Sequence, residues 1–110
     1  MKWYKILDNS TLKYPFIKKI NIASRSICLV GVDQVVYALS AKCPHAGADI
    51  SQGWCKDGKL VCPFHRYSYD IRTGRGSQGQ GDYINTYPVE VRQDGIYVGI
   101  TSKWEWLFGR

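Results

Sequence analysis

The chain has two histidines, and each follows closely on a cysteine-proline step: Cys43-Pro44-His45 and Cys62-Pro63-Phe64-His65. The pattern reads C-x-H … C-x-x-H, with residues 46–61 between its halves. Thiolate sulfur and neutral imidazole nitrogen are both good ligands for iron and zinc. A chain that commits both imidazoles to one constellation keeps none for histidine chemistry elsewhere. Its fold must therefore bring two separate short loops to one place.

The local chemistry suits stiff loops. Pro44 and Pro63 fix φ near −65° directly after each cysteine, and Gly47 and Gly53 allow sharp turns or close backbone approach. Backbone N–H groups in such loops can donate to sulfur and stabilise negative charge there. Each loop would give one sulfur and one nitrogen. A single tetrahedral zinc with two cysteines and two histidines is chemically possible. Zinc modules favour two to four residues between paired ligands, however, and Cys-x-His is a short pair. A two-iron, two-sulfide cluster, with both cysteines on one iron and both histidines on the other, fits the pairing better.

Composition narrows the rest. A chain of 110 residues makes one domain, and 45% hydrophobic with 14% aromatic content is ordinary for a folded one. No apolar run approaches the ~18 residues that a bilayer span needs. The start, Met1-Lys2-Trp3-Tyr4-Lys5-Ile6-Leu7-Asp8, lacks the apolar core of a signal peptide, so the expectation is a soluble, cytoplasmic protein. In that compartment Cys28, within Ile27-Cys28-Leu29-Val30, reads as a small hydrophobe, and Cys55 as a spare thiol in a connecting loop. Net charge is +6, with Lys42, Lys56, Lys59, Arg66, Arg72 and Arg75 around the motif. No basic block or helix-turn-helix pattern accompanies it. Nucleic acid and membrane are therefore not expected partners, and a solvated surface or the docking of an acidic protein is.

Strand patterns dominate. Phe16–Ile22 is a candidate strand; 26–32 and 34–40 form a hairpin around Asp33-Gln34; 59–61 follows the Asp57-Gly58 turn signal. Residues 87–92 and 96–100 flank Gln93-Asp94-Gly95, with Val89, Val91 and Tyr97 alternating as in half-buried strands. No long amphipathic helix is visible. Thr73–Asp82 contains Gly74, Gly76, Gly79 and Gly81 and reads as a flexible surface loop. The aromatic stretch Trp104–Phe108 reads as a cover for the core.

Beyond spacing, Cys43-Pro-His-Ala-Gly-Ala-Asp-Ile-Ser-Gln-Gly53 and Cys62-Pro-Phe-His-Arg-Tyr-Ser-Tyr-Asp-Ile-Arg-Thr-Gly74 strongly resemble the two cluster-binding boxes of Rieske iron–sulfur proteins. Tyr87-Pro-Val-Glu-Val91 and Asp94-Gly-Ile-Tyr-Val98 are similar to the closing hairpin of that family, so the resemblance covers roughly residues 26–100. It implies an all-β fold: an antiparallel β sandwich or barrel base with a small cluster-binding subdomain. Residues 1–110 would form a single domain, with the subdomain at about 43–69 inserted in a base made by 1–42 and 70–110. It further implies one [2Fe-2S] cluster per chain, with Cys43 and Cys62 on the inner iron and His45 and His65 on the solvent-facing iron. Gly47, Pro63, Tyr67 and Tyr69 would surround these ligands. Tyr69 matches a tyrosine that hydrogen-bonds a ligand sulfur in high-potential members.

Departures from the membrane-complex members point to the soluble ferredoxin branch. Ala48 and Phe64 stand where those proteins have a cysteine pair joined between the loops, and Tyr67 stands where they have serine. The glycine-rich Thr73–Asp82 stretch replaces a proline-containing loop, and Arg66 stands where a small residue is frequent. Fewer hydrogen bonds to the cluster sulfurs imply a low potential within the family's range. The resemblance implies a one-electron carrier between a flavin reductase and a terminal oxygenase. A small accessory subunit of an NAD(P)H-dependent nitrite reductase-like complex is the alternative. No histidine remains for a mononuclear iron centre or for acid–base catalysis, and no nucleotide-binding fingerprint is present, so the chain is not expected to be an enzyme by itself.

Overall fold

The computed structural model describes residues 1–8, 13–42, 49–63 and 66–101. Ten strands follow one another: β1 (Lys2–Leu7), β2 (Phe16–Ile22), β3 (Arg25–Val32), β4 (Val35–Ser40), β5 (Trp54–Lys56), β6 (Lys59–Val61), β7 (Ser68–Asp70), β8 (Thr86–Tyr87), β9 (Val89–Arg92) and β10 (Gly95–Ile100). They form three antiparallel sheets, ordered β1-β10-β9, β2-β3-β4-β8 and β5-β6-β7. Among the described residues the one helical turn is a 3-10 turn at Ile50–Gln52, and no helix is long and apolar enough to cross a membrane.

The tight hairpins follow from turn chemistry. Asp33 and Gln34 both take positive φ (52° and 65°), as do Asp57 and Gly58 (52° and 76°). Two consecutive positive φ values make the turn whose twist matches the flanking strands. Ala23 and Ser24 (50° and 65°) do the same between β2 and β3, although neither residue type advertises it.

The continuous apolar run of β3 has a simple cause: this strand is buried on both faces. Ile27 and Leu29 pack with Ala38, Val98 and Ile100, against the sheet that contains β10. Cys28 and Val30 point the other way, into a cluster with Leu39, Ala41, Ile50, Leu60, Cys62, Tyr69, Ile71 and Ile84. The four-stranded sheet is thus a middle layer, with the terminal sheet on one side and β5-β6-β7 on the other.

Several expectations need correction. The expected strand at 87–92 is divided: Tyr87 pairs with Ala38 in the middle sheet, while Val89–Arg92 pairs with β10. Pro88, which has no N–H for a ladder, marks the crossing between sheets, and its carbonyl accepts from Gly99 N at 3.0 Å. Val91 is 68% exposed rather than half-buried, because β9 is an edge strand at that end of its sheet. Cys55 lies on β5, not in a connecting loop. Trp104–Phe108 falls outside the described residues.

The largest correction concerns Thr73–Asp82. The stretch is tied down by hydrogen bonds, with bridges Tyr69↔Gly76 and Arg75↔Tyr83. Ser77 N donates to Ser68 O (3.0 Å), Gly76 N to Asp82 O (2.9 Å) and Ser68 N to Gln80 Oε1 (2.9 Å). Composition suggested mobility, but glycine here also serves close contact: a Cβ on Gly74 would lie 2.0 Å from Ile84 O.

Candidate metal centre

Of the eight residues singled out from the sequence, Cys62, Pro63, Tyr67 and Tyr69 are described. Cys43, His45, Gly47 and His65 lie outside the described residues. The structure nevertheless defines both ends of each loop that carries them.

The first loop, 43–48, is closed at its root by an antiparallel bridge between Lys42 and Asp49. Ile50 N donates to Ala41 O at 2.7 Å, and Ala41 N to Ser26 O at 3.0 Å, so the root is sewn to β3. Asp49 caps the following 3-10 turn by accepting from Ser51 N (3.0 Å), and it pairs with Lys19 of β2 at 3.2 Å. Burial opposes ionisation of Asp49, but the hydrogen bonds from Ser51 and Lys19 outweigh it and hold the carboxyl below its usual range.

The second loop is closed by Cys62 N donating to Tyr67 O at 2.7 Å, one step beyond the β6–β7 pairing Val61↔Ser68. In an antiparallel pair, alternate residues share a face. Cys62 and Leu60 of one strand therefore face the same way as Tyr67 and Tyr69 of the other, and Cys55, opposite Leu60, joins them. Cys62 and Tyr69 are fully buried, whereas Pro63, one residue along, is exposed. Cys62 is thus inward and Pro63 outward.

The two roots meet. Ala41, Ile50, Cys62 and Tyr69 belong to one apolar cluster, with Tyr67 and Cys55 packed against it. Gly53 permits part of this approach, since a Cβ there would stand 1.8 Å from Val61 O. Residue 43 lies two positions from buried Ala41, and Cys62 is buried in the same cluster. Two loops with one thiol and one imidazole each, rooted on one cluster, fit a two-sulfur, two-nitrogen donor set.

Tyr69 has a partner that the sequence reading missed. Its hydroxyl donates to Asp82 Oδ2 at 2.7 Å, while Gln80 Nε2 donates to Asp82 Oδ1 at 2.9 Å. Ser68 and Ser77 hydroxyls are hydrogen-bonded to each other, and Lys59 Nζ reaches Ser77 Oγ at 3.1 Å. The signal available was the tyrosine itself: a buried phenol needs a partner, and an acid in the adjoining loop is a natural one.

Cys28 and Cys55 are free thiols beneath this site. Burial pushes the Cys28 thiol up to about 12, helped by Cys55 and Asp49, and burial also raises Cys55. Both stay protonated at neutral pH in the absence of metal, which makes them poor nucleophiles.

Comparison with known proteins agrees with this geometry. The family described as the Rieske [2Fe-2S] domain matches residues 2–88. The 3-phenylpropionate/cinnamic acid dioxygenase ferredoxin subunit of Photorhabdus laumondii is 34% identical over 79 residues, covering 70% of this chain and 75% of that protein. The ferredoxin component of the naphthalene 1,2-dioxygenase system of Pseudomonas putida is 22% identical over 102 residues, covering 92% and 98%. Among solved structures, the ferredoxin of carbazole 1,9a-dioxygenase from Nocardioides aromaticivorans superposes with a TM-score of 0.83 at 23% identity, covering 92% of this chain and all of that one. This last likeness establishes the shared β fold.

Proposed function

The chain belongs to the Rieske [2Fe-2S] domain family, and we propose that Cys43 and Cys62 hold one iron of its cluster while His45 and His65 hold the other. One [2Fe-2S] cluster per chain goes with this family. Like the relatives named ferredoxin subunit or component, the chain is an electron-transfer component and not an enzyme in its own right. Its work is to carry one electron from a reductase to a terminal oxygenase.

The observation that carries the ligand assignment is the convergence of the two loop roots. Cys62 is buried in the cluster that also holds Ala41, next to the first loop, while Pro63 on the outward path is exposed. This supports sulfur on the inside and imidazole toward water. The bound cluster supplies a one-electron couple. The protein's part is to hold two thiolates in a dry, apolar floor and to leave the imidazole edge open to a partner. Gly47, Pro63, Tyr67 and Tyr69 would line the ligands, with Pro63 stiffening the second loop and the Tyr67 carbonyl closing it through Cys62 N.

The domain reading follows the same line. Among the described residues no strand of the β5-β6-β7 sheet joins either of the other two sheets, which supports a cluster-bearing part at about 43–69 set in a base of 1–42 and 70–110, within one domain over 1–110. The cytoplasm is the proposed compartment, where unpaired Cys28 and Cys55 remain reduced.

The decisive experiment is anaerobic purification followed by iron and acid-labile sulfide determination, electron paramagnetic resonance on reduction, and reconstitution with a flavin reductase and an aromatic-ring dioxygenase. We expect two irons and two sulfides per chain, a signal averaging about g 1.9 from mixed N/S ligation, and reductase-dependent turnover of the oxygenase. A colourless protein containing zinc overturns the assignment. Stable copurification with a large reductase chain would instead favour the nitrite reductase-like accessory role.

A further inference from the structure

Among the described residues, three of the seven cations outside 42–76 form ion pairs and none of the six inside it does. The three ion pairs among the described residues, Lys5–Asp8, Lys19–Asp49 and Arg92–Glu90, all draw their cations from β1, β2 and β9. Residues 42–76 contain six cations, Lys42, Lys56, Lys59, Arg66, Arg72 and Arg75, against three carboxylates. All six cations are exposed.

The carboxylates are largely spent inside the fold. Asp49 faces Lys42 across the bridge, yet its carboxylate is taken by Lys19 and Ser51. Asp70 Oδ1 accepts from the backbone N–H groups of Arg72 (2.8 Å) and Thr73 (3.1 Å). Asp82, just beyond, is held by Tyr69 and Gln80. Only Asp57 remains, in the turn between Lys56 and Lys59. Those two lysines are directly opposed in the β5–β6 ladder, an arrangement that like charges disfavour.

Arg66 adds a backbone cost. Its φ is +56°, the left-handed region that glycine enters freely and that costs other residues about 1 kcal/mol. Its side chain makes no ion pair or hydrogen bond among the described residues. Glycine would serve the turn better, and nothing among the described residues accounts for arginine here. Arg66 directly follows His65, and Lys42 directly precedes Cys43.

We propose that Lys42 and Arg66, which border the two loops in the chain, form a cationic collar that receives a redox partner protein whose own centre is ringed by aspartate and glutamate. Lys56 and Lys59, at the far turn of the β5–β6 hairpin, only add to the positive charge of residues 42–76. The inference rests on the ligand assignment above and deepens it by giving the partner's chemistry. A guanidinium one residue along the chain from His65 can take a partner carboxylate in a two-point hydrogen bond, which fixes the orientation of the partner. The unpaired lysines supply the longer-range attraction that speeds encounter.

The test is stopped-flow oxidation of the reduced, cluster-loaded protein by hexacyanoferrate(III) and by tris(phenanthroline)cobalt(III). In each case one electron leaves the protein and reduces Fe(III) to Fe(II) or Co(III) to Co(II), with no bond made or broken. The rate with the anionic oxidant should fall several-fold as salt rises from about 20 to 500 mM, and the rate with the cationic one should rise, because the Debye length shrinks from roughly 20 to 4 Å. Arg66→Gly should lower the anionic rate several-fold, flatten its salt dependence and leave the visible spectrum unchanged, while Arg66→Lys retains the wild-type rate. An acidic flavodoxin hydroquinone as donor should show the same order. Equal rates and salt slopes for wild type and Arg66→Gly with both the anionic oxidant and flavodoxin overturn the collar, even with the cluster intact. A preparation that takes up no cluster overturns the ligand assignment beneath it as well.

Discussion

Tyr69 gives its hydroxyl hydrogen to Asp82, 2.7 Å away, and thereby fastens the glycine-rich stretch to the sheet that carries Cys62. A phenol has one hydrogen to donate, and a carboxylate can only accept. While Asp82 is ionised, that hydrogen is committed to the loop.

Asp82→Ala should therefore act in two ways. It leaves a buried phenol without its acceptor, costing about 1–3 kcal/mol, readable in denaturant unfolding. It also releases the hydroxyl and removes a negative charge, and both changes raise the reduction potential. Repeating Asp82→Ala in a Tyr69→Phe background separates them: a rise that persists unchanged is purely electrostatic. The wild-type potential should lie low in the family span of ~−150 to +300 mV, and voltammetry above about +100 mV would contradict this.

Replacement of Cys62 by serine should abolish cluster uptake, measured as loss of visible colour and acid-labile sulfide. Cys55→Ser should keep both, since that thiol lies on β5, outside the two loops that carry the cysteine-histidine pairs. Colour lost equally in the two variants would place Cys55 among the ligands.

Alkaline instability should trace in part to Cys28. Its folded value, pushed up to about 12 by burial, exceeds that of an exposed thiol at 9.0. The unfolded chain thus releases this proton first, and stability falls as pH rises from 9.0 toward 12. Below that window the contribution is fully present. Cys28→Ala should flatten the decline between pH 9 and 10.5 (roughly the lower half of the window set by the thiol reference value). An unchanged slope in the variant would assign the decline to other groups.

Gly53→Ala should be costlier than Gly58→Ala. At position 53 a methyl would meet Val61 O at 1.8 Å, whereas at 58 nothing lies within 4 Å and only the positive φ resists substitution. Overpacking against a facing strand predicts a loss of about 1–3 kcal/mol, and the backbone effect about 1–2 kcal/mol. Denaturation midpoints at constant m-value give the comparison. Gly53→Ala should also weaken cluster retention, because β5 positions one wall of the site.

Much of this protein was determined locally, and hence readable in the chain. The two cysteine-histidine pairs suggested a donor set because ligand chemistry depends on residue type and short spacing. Phe16–Ile22 and the hairpins at Asp33-Gln34 and Asp57-Gly58 were legible because strand pattern and turn geometry are fixed within a few residues. Tertiary structure alone decided the rest. Which face of β3 meets which sheet, why Val91 is exposed, and where the 73–82 stretch goes all depend on partners distant in sequence. The bond from Tyr69 to Asp82 joins residues 13 apart across a loop whose composition signals only freedom. Composition reports the entropy available to a segment; contacts from elsewhere in the fold decide whether it is given up.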